Sequence, residues 1–382
     1  MKTQKRSYAI FFIIVLLLLA SEGILIFILP QRAYSENENR YLTTIEPPSF
    51  SAFLDTSMQE NLTNGANDQF VGRDFWMKCA TTLQLAAGFQ DMQDVYLGKN
   101  GYYFERILDS DLSQSRYQNN LRYLEQFASL YETEISFLPV PSKGTILKEY
   151  LPKNAVLYHS DDYFDLAETI ANQTEHLKTA DLRETMTKQH NAAKLYFKTD
   201  HHWTMDAAYL AYTALCEITK EDPMPQEYFS PECVNKSFYG TLYSKAPSFH
   251  TQPDQLWIPK NLPEAEIYID SKQATGIYDW DKLNTKDKYG IYFGGNFSKI
   301  NIHIQNPAKH ASHKKLLIIK DSFANSLVPF LMEQYAEITM LDFRYYNESV
   351  SSLMHEERPT DVLVLYEMSN FAQDMNFFKI LK

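Results

Sequence analysis

Apolar positions along the chain fall into three patterns. The first is one continuous run, "YAIFFIIVLLLLASEGILIFILP", Tyr8 to Pro30, interrupted by Ser21 and Glu22. About 20 apolar residues are enough to cross a bilayer, so this run predicts one N-terminal transmembrane helix over 8–30. The second pattern repeats every three to four residues, the spacing of an amphipathic helix. It covers "NDQFVGRDFWMKCATTLQLAAG" (67–88), "LRYLEQFASLYE" (121–132) and "MDAAYLAYTALCEI" (205–218). The third is a set of short apolar runs ended by turn residues: "EISFLPVP" (134–141), "KKLLIIKDS" (314–322), "AEITMLDF" (336–343) and "DVLVLYEM" (361–368). Such runs are buried strands. Alternating with helices, they predict an α/β fold with a mostly parallel sheet and helices on both faces. "DVYLGKNGYYFER" (94–106) adds an aromatic hairpin around Asn100-Gly101.

These patterns divide the chain into a tail (1–7), a signal-anchor (8–30), a polar stalk (31–50) and one large domain (51–382). Within the domain, about 220–310 is irregular and aromatic and reads as an insertion that shapes the site. Lys2, Lys5 and Arg6 precede the apolar run and Arg32 alone follows closely, which keeps the tail in the cytoplasm and puts the domain outside the cell membrane. The alternative is a long signal peptide cut near "RAYS" (32–35). Glu22 favours it, because a carboxyl at mid-membrane must be neutral or face a partner helix.

Composition narrows the function classes. The 382 residues are 45% hydrophobic, with 26 Tyr and 24 Phe, ample for one large folded domain or two small ones. A net charge of −12 excludes a domain-wide basic footprint for nucleic acid. Cys79, Cys216 and Cys233 allow one disulfide at most, and no pair has CxxC spacing.

Candidate chemistry sits in "KTDHHWT", Lys198 to Thr204, between an apolar-aromatic run and a helix. On an extended segment Asp200 and His202 share a face and His201 points away. A carboxylate that orients an imidazole is half of a catalytic triad, or supports a metal ligand. The other half is Ser322 in "LLIIKDSFANS", a serine between the end of a strand and the start of a helix. In open parallel sheets ligands bind at the carboxyl ends of strands. If both segments lie there, Ser322 is nucleophile, His202 general base and Asp200 its orienter. An Asp-Ser turn in this position also serves as a phosphate site or helix cap.

The segments "ENENRYL", "DQFVGRDFW", "YLGKNGYYF", "VPSKGTILKEYLP", "YFKTDHHWT", "GTLYSK", "DKYGIYFGGN", "IIKDSFANSLVPFL" and "LDFRYY" together resemble the DHHW-motif protein family. The chain is also similar to that family's relatives, the alginate-type polysaccharide O-acetyltransferases, which are SGNH-hydrolase-like. The resemblance implies an SGNH-like three-layer sandwich and maps the Asp and His of a D-x-H-W motif and a later Ser onto Asp200, His202 and Ser322. It implies Gly295 and Asn296 of "FGGN", with Asn325 as competitor, as oxyanion groups beside the serine's own N–H. Ala207 stands where the family commonly has glycine, and Lys320 where hydrolases have the glycine of their GDS motif. The implied activity is transfer of an acetyl group to a cell-surface or secreted polysaccharide, with a membrane-bound O-acyltransferase as donor and no cofactor or metal.

Other residues keep two readings. Trp203 is a core wedge or a sugar platform. Tyr289, in "DKYGIYFGG", belongs to an edge strand or lies beside the Gly-Gly-Asn group. Arg344 pairs with Asp342 or clamps substrate. Lys143 follows a strand end and is either structural or part of the site. At the level of function, an acetyl esterase with the same triad and a non-catalytic polysaccharide-binding or assembly protein remain the rivals.

Overall fold

The computed structural model describes residues 2–35, 37 and 40–382. By internal contacts the chain forms two compact units. The smaller comprises the chain up to Phe89 with Ala246–His250, and the larger comprises Gln90–Lys245 and Thr251–Lys382.

In the smaller unit the apolar run is helical over Lys2–Ile28. Its stretch Tyr8–Ile28 is long and apolar enough to cross a membrane, which suits an anchor and a signal sequence alike. The pattern over 67–88 is split between two helices, Ser57–Asp68 and Arg73–Ala86, instead of one. Gly72 breaks it with φ +67°, a left-handed conformation that glycine adopts without a Cβ penalty. Glu22 finds a partner inside this unit: its carboxylate accepts the Val71 N–H at 3.2 Å.

The larger unit is built on an eight-stranded sheet. We label its strands β1 (Glu134–Val140), β2 (Leu177–Thr179), β3 (Ala265–Ile269), β4 (Lys272–Ala274), β5 (Lys299–Ile304), β6 (Lys315–Lys320), β7 (Glu337–Leu341) and β8 (Asp361–Glu367). Their order across the sheet is β4-β3-β5-β7-β6-β8-β1-β2. The run from β7 to β2 is parallel throughout, and β5, β3 and β4 extend it antiparallel. The segment expected to be an irregular insertion therefore supplies three strands of the sheet. Its alternation is weak because the outermost strands are half exposed.

Successive side chains on a strand point to opposite faces, and both faces here are apolar. Leu363 and Leu365 of β8 pack with Ile318 of β6 and Leu138 of β1 in one core. Val362, Val364, Leu317, Ile319 and Phe137 fill a second core on the other side. This is why β1, β6 and β8 read as unbroken apolar runs. The Gln114–Leu130 helix buries Tyr117, Leu121, Leu124 and Ala128 in the second core and is capped by the Ser113 hydroxyl, which accepts the Arg116 N–H. The Met205–Thr219 helix buries Ala207, Ala208, Ala211 and Leu215 in the first. The parallel strands β1, β6, β7 and β8 end at Val140, Lys320, Leu341 and Glu367, and polar residues follow or close each end.

Candidate active site

Ser322 lies in the turn between β6 and the Ala324–Leu331 helix. Asp321 shapes this turn: one carboxylate oxygen accepts the Phe323 N–H (2.9 Å), and the other accepts the Glu367 N–H (2.8 Å) and Asn370 Nδ2 (2.9 Å). The Ser322 hydroxyl is thereby held 2.7 Å from His202 Nε2. On the other side of the ring, His202 Nδ1 is 2.6 Å from Asp200 Oδ1. A carboxylate only accepts, so Nδ1 carries the proton and Nε2 is left to accept from the serine.

The backbone that delivers this pair differs from the extended segment read from the sequence. Residues 198–202 form bends between Tyr196 and Trp203, which are joined by an isolated antiparallel bridge. The turn is therefore not the end of a sheet strand. Asp200 and His202 meet because the Asp200 carboxylate also accepts the His202 backbone N–H at 3.0 Å, a local Asx-type turn. In a bent chain neighbouring side chains need not diverge. His201 does not point away: its ring centroid is 3.9 Å from that of His202.

No curated protein matches the chain. Residues 173–341 match the family model of the DHHW protein. The fold is similar to that of a DHHW family protein from Eubacterium siraeum, with 22% identity, a TM-score of 0.61, and 76% of this chain and 95% of that one covered. It is also similar to Bacillus cereus PatB1 with a sulfonyl adduct, with 21% identity, a TM-score of 0.60, and coverage of 75% and 98%.

Several residues fix the DHHW turn that the motif itself does not name. Thr241 donates its N–H (2.8 Å) and hydroxyl (3.1 Å) to Asp200 Oδ2, and its hydroxyl is 2.7 Å from His201 Nδ1. Asp254 accepts the N–H groups of Lys198 (2.7 Å) and Thr199 (2.8 Å). Lys143 is buried and donates to the carbonyls of Tyr103 (2.7 Å), Lys198 (3.3 Å) and Asp200 (2.5 Å). Gly240 packs against Asp200 so closely that a Cβ there would lie 2.2 Å from the Asp200 Cβ. Thr241 and Gly240 belong to "GTLYSK"; neither is an acid or a base, so their contacts with Asp200 carried no signal in the sequence.

The aromatic residues serve the turn from within. Tyr289 stacks on His202, with centroids 3.8 Å apart and planes 9° apart, and its hydroxyl donates to the Ser322 carbonyl (3.2 Å). Trp203 is fully buried, so no ring face is open to a sugar. Its N–H reaches Ser326 Oγ (2.8 Å) and the Phe323 carbonyl (3.1 Å), tying the DHHW turn to the Ser322 turn. Arg344 grips Asp342 with two N–H groups, at 2.8 and 2.5 Å. Asn296, Asn325 and Lys320 form one cluster against the Ser322 turn. Gly295 joins it through its carbonyl, which accepts from Asn325 Nδ2 at 3.4 Å.

Burial sets the electrostatics. It pushes the His202 pKa down to about 4, helped by the neighbouring His201 charge and only partly opposed by Asp200. Burial alone would raise Asp200, but the two imidazoles beside it and the hydrogen bonds from His202 and the Thr241 N–H outweigh it, and the carboxylate stays well below its ordinary range. The resting pair is thus Asp200 anionic and His202 neutral. The ligand atoms of Asp200, His201 and His202 lie within 4.8 Å of one another, a spacing that a cation could bridge. Both His202 nitrogens are engaged, however, and His201 Nδ1 is bonded to Thr241.

Proposed function

We propose that the chain is an extracytoplasmic O-acetyltransferase-like enzyme that moves an acetyl group onto a cell-surface or secreted polysaccharide. The observation that carries this reading is the unbroken line Ser322 Oγ, His202 Nε2, His202 Nδ1, Asp200, with links of 2.7 and 2.6 Å. Ser322 attacks the acetyl carbonyl of the donor while its proton passes to His202. The donor's leaving group departs with that proton, and an ester remains on Ser322. A sugar hydroxyl then gives its proton to His202, attacks the ester and takes the acetyl, and the proton returns to Ser322. Asp200 stabilises the imidazolium formed in between. The Ser322 N–H and the Asn296 amide are the donors we assign to the oxyanion.

Two further expectations belong to this reading. The sheet with a core on each face, and the nucleophile at a strand's carboxyl end, fit an SGNH-like three-layer sandwich. Acetyl donors such as acetyl-CoA are cytoplasmic, so an outer domain needs a membrane-bound O-acyltransferase to hand the group across. That Bacillus cereus PatB1 takes a sulfonyl adduct fits a shared reactive nucleophile.

Incubating the full-length protein with an activated acetyl ester tests the chemistry. One acetyl mass on Ser322 is expected, absent in Ser322→Ala. An unchanged adduct in that variant would move the nucleophile elsewhere. Transfer to polysaccharide hydroxyls in preference to water separates the transferase from the acetyl esterase, and no adduct at all returns the non-catalytic binding protein.

A further inference from the structure

Lys320 closes β6, two residues before Ser322, and is 1% exposed. A lysine ammonium donates three hydrogen bonds and accepts none. Its Nζ is 3.0 Å from Asn296 Oδ1, 2.8 Å from Asn325 Oδ1 and 3.8 Å from Asp342 Oδ2. A group that only donates must face the oxygen of each carboxamide, so Lys320 dictates which way both amides are turned. Their free ends then differ. Asn325 Nδ2 donates to Asn296 Oδ1 (3.2 Å) and to the Gly295 carbonyl (3.4 Å). Asn296 Nδ2 has no partner among the described residues, and Asn296 is only half-buried whereas Asn325 is 2% exposed. The cluster therefore offers one uncommitted N–H donor at the edge of the Ser322 turn, and it belongs to Asn296.

We infer that Lys320 is a positioning residue for acyl transfer, fixing the Asn296 carboxamide so that its NH2 group, and not its oxygen, meets the oxyanion. The inference rests on Ser322 being the nucleophile. Without the ammonium, a half-turn of the amide would place Oδ1 against a developing negative charge and replace attraction with repulsion. The side chain also explains why a long cation is accommodated two residues before a buried nucleophile turn: its charge is met by Asp342 and Asp321, with Arg344 opposing. A role confined to neutralising Asp342 is the competing account.

Acetylation of the full-length protein by p-nitrophenyl acetate separates them. Asn296→Ala is expected to lower kcat by about 10²–10³-fold, the usual loss for one oxyanion donor, with KM little changed. Lys320→Met should cost a comparable factor in the wild-type background and less than about twofold in the Asn296→Ala background, because residues acting as one unit are non-additive. Equal losses in both backgrounds would assign Lys320 to the fold or to Asp342 and overturn the inference. Should Lys320→Met fail to fold, Asn296→Asp keeps oxygens for Lys320 but removes the NH2. It should fold as wild type and lose activity as Asn296→Ala does; full activity in Asn296→Asp overturns the inference. A wild-type chain that takes no acetyl on Ser322 would instead overturn the nucleophile reading, and this inference with it.

Discussion

Ser322 and His202 stand 120 residues apart in the chain and 2.7 Å apart at the site. The distance makes His202 Nε2 the acceptor of the serine proton, and the ring can do this only while it is neutral. Burial holds its pKa at about 4. Activity should therefore persist well below the ordinary imidazole range and fall as pH drops through about 4. The acid limb of kcat/KM for acetylation reports this group in the free enzyme; a limb near 6.5 would show that His202 is solvated. Asp200→Asn, which removes the tautomer-fixing carboxylate, should lower kcat by about 10³–10⁴-fold.

Gly240 supplies a steric test of the same geometry. A Cβ at that position would lie 2.2 Å from the Asp200 Cβ and 2.6 Å from its Cα, so the DHHW turn must shift. A displacement near 1 Å costs about 10²-fold in rate. Gly240→Ala should lower kcat on that order, with circular dichroism showing an otherwise folded chain. Unchanged kinetics would mean that the turn tolerates repositioning of Asp200.

Glu367 predicts a pH dependence of stability. It is buried, one carboxyl oxygen accepts from Ser369 and the Asn370 N–H, and the other has no partner among the described residues. Burial raises its pKa to about 8 from an ordinary 4.5, so the fold holds it protonated while the unfolded chain ionises it. The native state then binds more protons, and stability falls as pH rises from about 4.5 to 8. In chemical denaturation, Glu367→Gln should flatten this decline and leave the variant more stable than wild type at pH 8. A decline of the same slope in Glu367→Gln would assign it to other groups.

What could be read in the sequence was what local pattern encodes. β1, β6, β7 and β8 were visible because strands buried on both faces are unbroken apolar runs. The pairing of Asp200 with His202 was visible through spacing, although the reason offered, an extended backbone, was not the one found. Residues whose work is done across the fold left no pattern. Lys143 reaches carbonyls 40 to 57 positions away, and Thr241 reaches Asp200 from 41 positions away. The outermost strands β3 and β4 were hidden for another reason: half exposed, they mix polar and apolar residues, whereas β5 does alternate, with Ile300, Ile302 and Ile304 buried.

Attachment to the membrane is the last prediction, and Glu22 decides how it is argued. The apolar helix Tyr8–Ile28 has 21 residues, about 32 Å at 1.5 Å per residue, which matches a hydrocarbon core of about 30 Å. A carboxyl inside that length would call for a partner helix. Glu22 instead accepts the backbone N–H of Val71, a group of its own chain that lies beyond the helix. Backbone outside a helix does not sit exposed in lipid, because its polar groups would go unpaired. The Val71 segment is therefore expected on the outer side of the membrane, beside the C-terminal part of the apolar helix, with the domain outside. A chain carrying a C-terminal tag should pellet with membranes, resist carbonate extraction and be digested by protease added to intact cells. Glu22→Leu should leave all three results unchanged, since no second protein is needed to satisfy the carboxylate. A soluble form in the medium beginning near Tyr34 to Glu36 would show instead that the apolar helix is a cleaved signal, and would remove the tether on which the proposed hand-over of an acyl group at the membrane depends.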